Sequence, residues 1–279
     1  MKVLETRSDI QEELSDIKKE GKSVGFVPTM GALHEGHLSL VKKAKKENDI
    51  VIVSVFLNPL QFDDKKDFEN YPITGQADYS MLVRANVNFL FRPDEGEIYP
   101  NKESKKVDFD PGQLGKILEG KSRKGHFEGV ATVVQTLFDI IKPNKAYFGQ
   151  KDYQQFKIIQ KLIKEKGWDI EAIMCPIVRE KDGLAQSSRN RHLKANDRRS
   201  ASNIYRTLNR AKVKLISQKP AEVEEWGKEY LNKFNEFEVD YFVIRNPEDL
   251  KPLKSVENGA IILTAVNVGG IRLIDNMII

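Results

Sequence analysis

The stretch 24–46 constrains the fold more than any other part of this chain. Val24-Gly-Phe-Val-Pro28 is a short apolar run of the kind a buried parallel strand uses, and between His37 and Lys46 the apolar residues Leu38, Leu40, Val41 and Ala44 recur at helical spacing. Only eight residues, Thr29, Met30, Gly31, Ala32, Leu33, His34, Glu35 and Gly36, separate the two patterns, so a strand must turn sharply into a helix start. Gly25, Gly31 and Gly36 suit such a turn and let a ligand approach the backbone. The helix N-terminus adds unpaired amides and a partial positive charge, which favour a phosphate. His34 and His37 stand at that junction. Two imidazole donors there would bind the charge that builds on the non-bridging oxygens during attack at an α-phosphate more tightly than they bind the ground state. The same pair admits two other readings, a metal pair and a purely structural role. No third His, no Cys and no close carboxylate cluster accompanies it, which weakens the metal reading.

Strand-like runs at 24–28, 50–57, 87–91, 146–148 and 170–178 alternate with helix-like ones at 77–85, 127–141 and 153–166, the last stopped by Gly167. Such alternation predicts an α/β fold, a Rossmann-like parallel sheet with helices on both faces and ligands beyond the carboxyl ends of its strands. Beyond Arg189 the pattern changes to charged helical stretches at 195–217 and 221–234, then strands at 239–244, 260–266 and 271–274. The expected division is a catalytic domain over 1–180 and a smaller C-terminal α+β domain over 181–279.

Length and composition set the outer limits. With 279 residues, 40% of them hydrophobic, the chain can bury a sizeable core. Neither a basic-then-apolar leader nor an apolar run near membrane length is seen, and the lone cysteine, Cys175, lies in the apolar run 170–178 as a buried, inert thiol. The expectation is a cytoplasmic protein with no membrane partner. The 45 basic and 41 acidic side chains leave a net charge of only +4. Lys42, Lys43, Lys45 and Lys46 read as a solvated face, while Lys121, Arg123 and Lys124 beside His126 could meet a phosphate. Neither cluster is interleaved with aromatics, so no nucleic-acid partner is expected.

Three further segments follow strand ends. Asn58 and Gln61 in Phe56-Leu-Asn-Pro-Leu-Gln-Phe62 bring uncharged amides that orient hydroxyls and carboxylates, although Asn-Pro is also an ordinary turn. Gly149-Gln-Lys-Asp152 opens a helix with Lys151 placed for phosphate and Asp152 for a cap, a ribose hydroxyl or metal-bound water, and Gln155 lies one helical turn beyond Lys151. Ser187, Ser188 and Arg189, in the run 179–190 at the expected domain boundary, supply two hydroxyls and a cation to a loop that can close on a triphosphate, or form a polar surface turn.

Taken in order, PTMGALHEGH, FLNPLQF, GHFEGVATVV, FGQKDYQQ, DGLAQSSRN and RLIDN resemble the pantothenate synthetase (pantoate–β-alanine ligase) family from Pro28 to Asn276. The resemblance implies a homodimer that works with ATP and Mg²⁺. Pantoate carboxylate attacks the α-phosphate to give pantoyl adenylate and pyrophosphate, and the β-alanine amine then displaces AMP. It implies an ATP site made by Met30, Gly31, Ala32, Leu33, His34, Glu35, Gly36, His37, Gly149, Gln150, Lys151, Asp152, Val178, Gln186, Ser187, Ser188 and Arg189, with His37, His34, Lys151, Ser187, Ser188 and Arg189 in catalytic roles. Pro28, Thr29, Met30, Gln61 and Gln155 would hold pantoate, Gln61 would also meet β-alanine, and Asn58, Tyr71 and His126 resemble secondary positions. Asp78 falls where family members can place a carboxylate near Mg²⁺, and a lid role is implied for the C-terminal domain. For His37 the family role is usually written as proton donor. Electrostatic stabilisation is the better physical reading, because a carboxylate nucleophile has no proton to lose and pyrophosphate already leaves easily.

The sequence departs from the family pattern at Gln186, where Met is usual, at Ile73, where an arginine commonly follows Tyr-Pro, and in the charged run 62–67. Among rivals, transfer of AMP to a phosphate ester would need a basic acceptor pocket in place of Gln61 and Gln155. A non-catalytic ATP sensor sits poorly with intact His34, His37, Lys151 and Arg189. A tRNA synthetase would need an anticodon-binding domain for which no room remains.

Overall fold

The computed structural model describes residues 1–101 and 103–279. Strand and helix begin to alternate before residue 24, with β1 (Lys2–Leu4) and α1 (Arg7–Lys19), neither of which is among the elements expected above. Three residues are too few to show a period of two, and α1 carries its buried stripe of Ile10, Leu14 and Ile17 among many charges. The order continues β2 (Val24–Thr29), α2 (Glu35–Glu47), β3 (Ile50–Val55), α3 (Lys65–Glu69), α4 (Gly75–Arg84), β4 (Phe89–Phe91), α5 (Glu95–Ile98), α6 (Glu119–Ser122), α7 (His126–Ile141), β5 (Lys145–Gly149), α8 (Tyr153–Lys166) and β6 (Glu171–Cys175).

These six strands form one all-parallel sheet in the order β1-β4-β3-β2-β5-β6. Successive strand residues face opposite sides of a sheet, and here they enter different cores. Phe26, Ile52, Phe91 and Phe148 pack with Ile10 and Leu14 of α1 and Val130 and Phe138 of α7. Val27, Val53, Leu90 and Tyr147 pack instead with Leu40, Val41 and Ala44 of α2 and Leu82 of α4. A sheet apolar on both faces requires helices on both, as the sequence predicts. With β3 and β4 on one side of β2 and β5 and β6 on the other, the winding reverses beside β2. The carboxyl ends of β2 and β5 therefore mark the switch point at which open α/β sheets bind ligands.

The chain divides into two units, Met1–Gly149 with Gln154–Pro176, and Gln150–Tyr153 with Ile177–Ile279. In the second unit α9 (Ala195–Ala201), α10 (Asn203–Lys214) and α11 (Pro220–Leu231) precede an antiparallel sheet of β7 (Phe237–Arg245), β8 (Ile261–Val268) and β9 (Ile271–Ile278). The single helix expected over 195–217 breaks at Ser202, whose hydroxyl donates to the Arg199 carbonyl at 2.9 Å. Ile204, Leu208, Val223, Phe242, Ile262 and Val266 build this unit's own core. Gly227 of α11 lies where a Cβ would come within 2.3 Å of the Phe242 ring, so α11 and β7 pack backbone against side chain. Among the described residues no helix is long and apolar enough to cross a membrane.

Candidate active site

The loop from β2 to α2 takes a conformation that has to be held. Gly31 and Ala32 both have left-handed φ, +86° and +50°, which for an alanine costs about 1–2 kcal/mol. Asp78 of α4, only 2% exposed, holds it: its two carboxylate oxygens accept the Ala32 and Leu33 N–H groups, each at 2.9 Å, and the Thr74 hydroxyl donates to it at 2.9 Å. The three hydrogen bonds give Asp78 a structural role in holding this loop, beside the Mg²⁺ role that the family resemblance implies for it. The Thr29 hydroxyl also braces the loop: it donates to the Ser54 carbonyl at 2.7 Å and accepts the Gly31 N–H at 3.2 Å.

His34 is the N-cap of α2. Its Nδ1 accepts the Gly36 N–H at 3.1 Å, and His37 Nδ1 reaches back to accept the His34 N–H at 3.3 Å, which closes a capping box built from two imidazoles. A ring nitrogen that accepts a hydrogen bond carries no hydrogen, so in each neutral imidazole the proton sits on Nε2, the edge turned away from the cap. The ring centroids lie 4.1 Å apart. At the carboxyl end of β2 this sets two side-chain N–H donors over a helix N-terminus, an arrangement suited to an anion.

Gln61 ends the tight turn Pro59–Gln61 that follows β3, and a polar frame aims it. Asn58, 1% exposed, accepts the Leu60 N–H at 3.2 Å and the Tyr99 hydroxyl at 2.7 Å, and its amide donates to the Gly129 carbonyl and to Gln61 Oε1, each at 3.0 Å. With Oε1 engaged, the Gln61 amide N–H is directed to the Met30 sulfur. Burial, and secondarily the charge of Glu95, raises the Tyr99 hydroxyl far above the ordinary phenol range, so it stays a donor. Where α7 crosses the turn, a Cβ on Gly129 would lie 2.1 Å from the Leu60 carbonyl oxygen. His126, also buried, faces the Gln61 carbonyl with Nδ1 at 2.7 Å, and a carbonyl can only accept, so Nδ1 carries the proton. Its Nε2 then accepts from Arg123 at 3.1 Å, while Arg123 also donates to the Gln61 carbonyl at 3.3 Å and to Asp63 at 3.2 Å. Asn58, His126 and Arg123, expected near substrate or phosphate, all bond Gln61 here and so help to aim it. Tyr71 is buried with its ring edge-on to Phe62, centroids 5.7 Å apart.

Gln155 is half-buried on the first turn of α8, whereas its neighbour Gln154 is fully used, donating to the Leu114 and Ile117 carbonyls and accepting the Glu119 N–H. Gln154 was not among the expected residues, because one buried amide beside a half-buried one leaves no periodic mark in a sequence.

In the second unit the turn Gln150–Asp152 presents Lys151, whose ammonium lies 3.4 Å from the Asp152 carboxylate. Val178 and Gln186 face each other across a hairpin, the Gln186 N–H donating to the Val178 carbonyl at 3.0 Å, and Gly183 makes the reversal at φ +94°. Ser187 caps the turn Ser188–His192 by accepting the Arg189 N–H at 3.3 Å, Ser188 is buried, and Arg189 is half-buried. Arg179 and Asp275 were not among the expected site residues; Asp275 lies in the motif RLIDN, and Arg179 opens the run 179–190. Arg179 pairs bidentately with Asp275 at 2.6 and 2.9 Å and stacks on the Tyr205 ring at 4.0 Å. Burial pushes the Asp275 carboxyl above the ordinary range and Arg179 pulls against that rise. Among the described residues no group of three or more His, Cys, Asp or Glu is set to hold a metal ion.

Known proteins place this geometry in a family. The Pantoate-beta-alanine ligase family matches residues 2–278. The pantothenate synthetase of Thermotoga petrophila is 43% identical over 281 residues, with all of both chains covered, and that of Fervidobacterium nodosum is 46% identical over 281 residues, covering 100% of this chain and 99% of its own. Among solved structures, pantothenate synthetase from Thermus thermophilus superposes with a TM-score of 0.93 at 41% identity over 99% of each chain. The pantoate-beta-alanine ligase of Francisella tularensis, complexed with beta-gamma ATP and beta-alanine, gives 0.84 at 37% identity over 100% of this chain and 97% of that one. The chain belongs to the pantoate–β-alanine ligase family.

Proposed function

We propose how the residues of this chain divide the work of ATP-dependent ligation of pantoate to β-alanine, the reaction of its family, which passes through a pantoyl adenylate. The observation that carries the reading is the imidazole capping box, which fixes both ring protons on Nε2 at the end of β2. Met30, Gly31, Ala32, Leu33, Glu35 and Gly36 shape this junction for ATP. In the first step a pantoate carboxylate oxygen forms a bond to the α-phosphorus as the bond to pyrophosphate breaks. Negative charge on the non-bridging oxygens grows between ground and transition state, and the Nε2–H groups of His34 and His37 are the donors that meet it. Lys151, Ser187, Ser188 and Arg189 neutralise the remaining phosphate charge, with Gly149, Gln150, Asp152, Val178 and Gln186 shaping the nucleotide site.

In the second step the free amine of β-alanine attacks the acyl carbon, the bond to the adenylate oxygen breaks, AMP leaves with that oxygen, and the nitrogen sheds one proton to solvent. Gln61 orients both pantoate and the amine, Gln155 and the backbone of Pro28, Thr29 and Met30 complete the pantoate site, and Asn58, Tyr71 and His126 act through the turn that carries Gln61. Among the described residues no group of three or more His, Cys, Asp or Glu forms a magnesium cage, and Asp78 accepts bonds from Ala32, Leu33 and Thr74. Mg²⁺ would ride on the phosphates of ATP, with Asp78 the carboxylate expected near it. The protein is expected to form a homodimer in the cytoplasm with its second unit as a lid, which light scattering, cell fractionation and hydrogen exchange with and without ATP test in turn.

Pantoate labelled with ¹⁸O in both carboxylate positions tests the assignment. One label per turnover is expected in AMP and one in the pantothenate amide carbonyl. Label in pyrophosphate, or formation of ADP, overturns it.

A further inference from the structure

The motif RLIDN has no role in the chemistry above, yet two consecutive residues of it, Asp275 and Asn276 on β9, are almost completely buried polar side chains. Each is bound to a different segment proposed to handle ATP. The Asn276 amide donates to the Gln150 carbonyl at 2.8 Å and to the Lys151 carbonyl at 3.0 Å, and its Oδ1 accepts the Gln150 side-chain N–H at 3.0 Å. Asp275 takes the bidentate fork of Arg179, and the same guanidinium donates to the Gly183 carbonyl at 3.0 Å and the Asn276 carbonyl at 3.3 Å. Arg179 is thereby fixed at the base of the hairpin that leads to Ser187, Ser188 and Arg189. A further bond holds the turn from the loop after β7, where the Tyr153 hydroxyl donates to the Pro247 carbonyl at 2.8 Å.

From this geometry we infer that Asp275 and Asn276 are positioning residues for ATP chemistry. Asn276 fixes the backbone that presents Lys151, and Asp275, through Arg179, fixes the loop that presents Arg189. Neither touches substrate. The assignment follows from hydrogen-bond inventory: an asparagine amide supplies two donors and an acceptor, and all are used on the two residues of one turn. An aspartate in its place would keep the acceptor but set carboxylate oxygens against two carbonyls. A turn held only at its ends would let the ammonium wander, and loss of placement by about 1 Å is enough to lower a rate about 10²-fold.

The inference rests on the reading that Lys151 meets the ATP phosphates, and a double-mutant cycle on the full chain separates the two. Adenylate formation is measured in a single turnover for Lys151→Ala, Asn276→Ala and the double variant. Asn276→Ala is expected to slow adenylate formation about tenfold or more with KM for pantoate unchanged, and to cost less than about twofold once Lys151 is already alanine. Full rate in Lys151→Ala defeats the underlying reading, whatever Asn276 does. A slow Lys151→Ala combined with losses that multiply in the double variant, or with an unaffected Asn276→Ala, overturns the positioning role alone. Should Asn276→Ala fail to fold, Gln150→Ala removes one of the three bonds from the other partner, and the same cycle with Lys151→Ala is read by the same criteria.

Discussion

Residues 30–33 and residues 150–151 are two segments proposed to face phosphate, and the protein holds them in opposite ways. The first is gripped by its N–H groups, which donate to a buried carboxylate, Asp78. The second is gripped by its carbonyls, which accept from a buried amide, Asn276. A carboxylate can accept twice and satisfy two left-handed or adjoining amides at once, and so suits a strained loop. An amide adds no charge of its own beside Lys151, whose ammonium is already balanced in part by Asp152 at 3.4 Å. The histidine side thus works by placing neutral donors and the lysine side by placing a cation.

The contrast breaks most visibly at the side chains themselves. His37→Ala and Lys151→Ala are each expected to lower kcat about 10²-fold or more with little change in pantoate affinity, the scale of a lost oxyanion donor, checked by steady-state kinetics. Added salt should weaken the contribution of Lys151 and leave that of His37 nearly untouched. Next comes the grip. Asp78→Ala leaves two buried amides without acceptors, at about 1–3 kcal/mol each, and should lower the urea midpoint as well as slow adenylation. Unchanged unfolding in that variant would mean Ala32 keeps its conformation unaided.

Gly129→Ala tests the third held segment, the turn bearing Gln61. The added methyl meets the Leu60 carbonyl and should raise KM for pantoate and β-alanine about tenfold, with ATP binding unaffected and about 1–3 kcal/mol of stability lost. The smallest effect concerns alkaline pH. Burial pushes the Cys175 thiol up to about 11 from an ordinary 9.0, and the Tyr153 hydroxyl up to about 12 from 10.0. Both groups keep their protons longer in the folded state, so the stability they contribute is whole below about pH 9 and lost as pH rises toward 11 and 12. Cys175→Val should flatten the first part of that fall in a denaturation series, and an identical slope would exclude the thiol.

The ligand-facing residues are legible in the sequence because the chemistry demands local motifs. His34 and His37 sit within one turn, and Lys151 follows a strand end within a few residues. What holds them is harder to read, because the partners are far apart in the chain: 46 residues separate Asp78 from Ala32, 71 separate Asn58 from Gly129 and 126 separate Asn276 from Gln150. A polar residue inside a motif therefore reads as a ligand even where, like Asn58 or His126, it also braces Gln61. The parallel sheet is readable from its apolar runs, while β1 is too short and α1 too charged to stand out.

On this mechanism the histidine pair serves the first chemical step and not the second. Single-turnover measurement of the two half-reactions in His37→Ala separates the steps, with adenylate formed from ATP and pantoate in one arm and preformed pantoyl adenylate aminolysed by β-alanine in the other. Adenylate formation should fall about 10²-fold or more while aminolysis stays within about threefold of the unaltered protein. Equal losses in both arms, or a loss confined to aminolysis, would refute that division of labour.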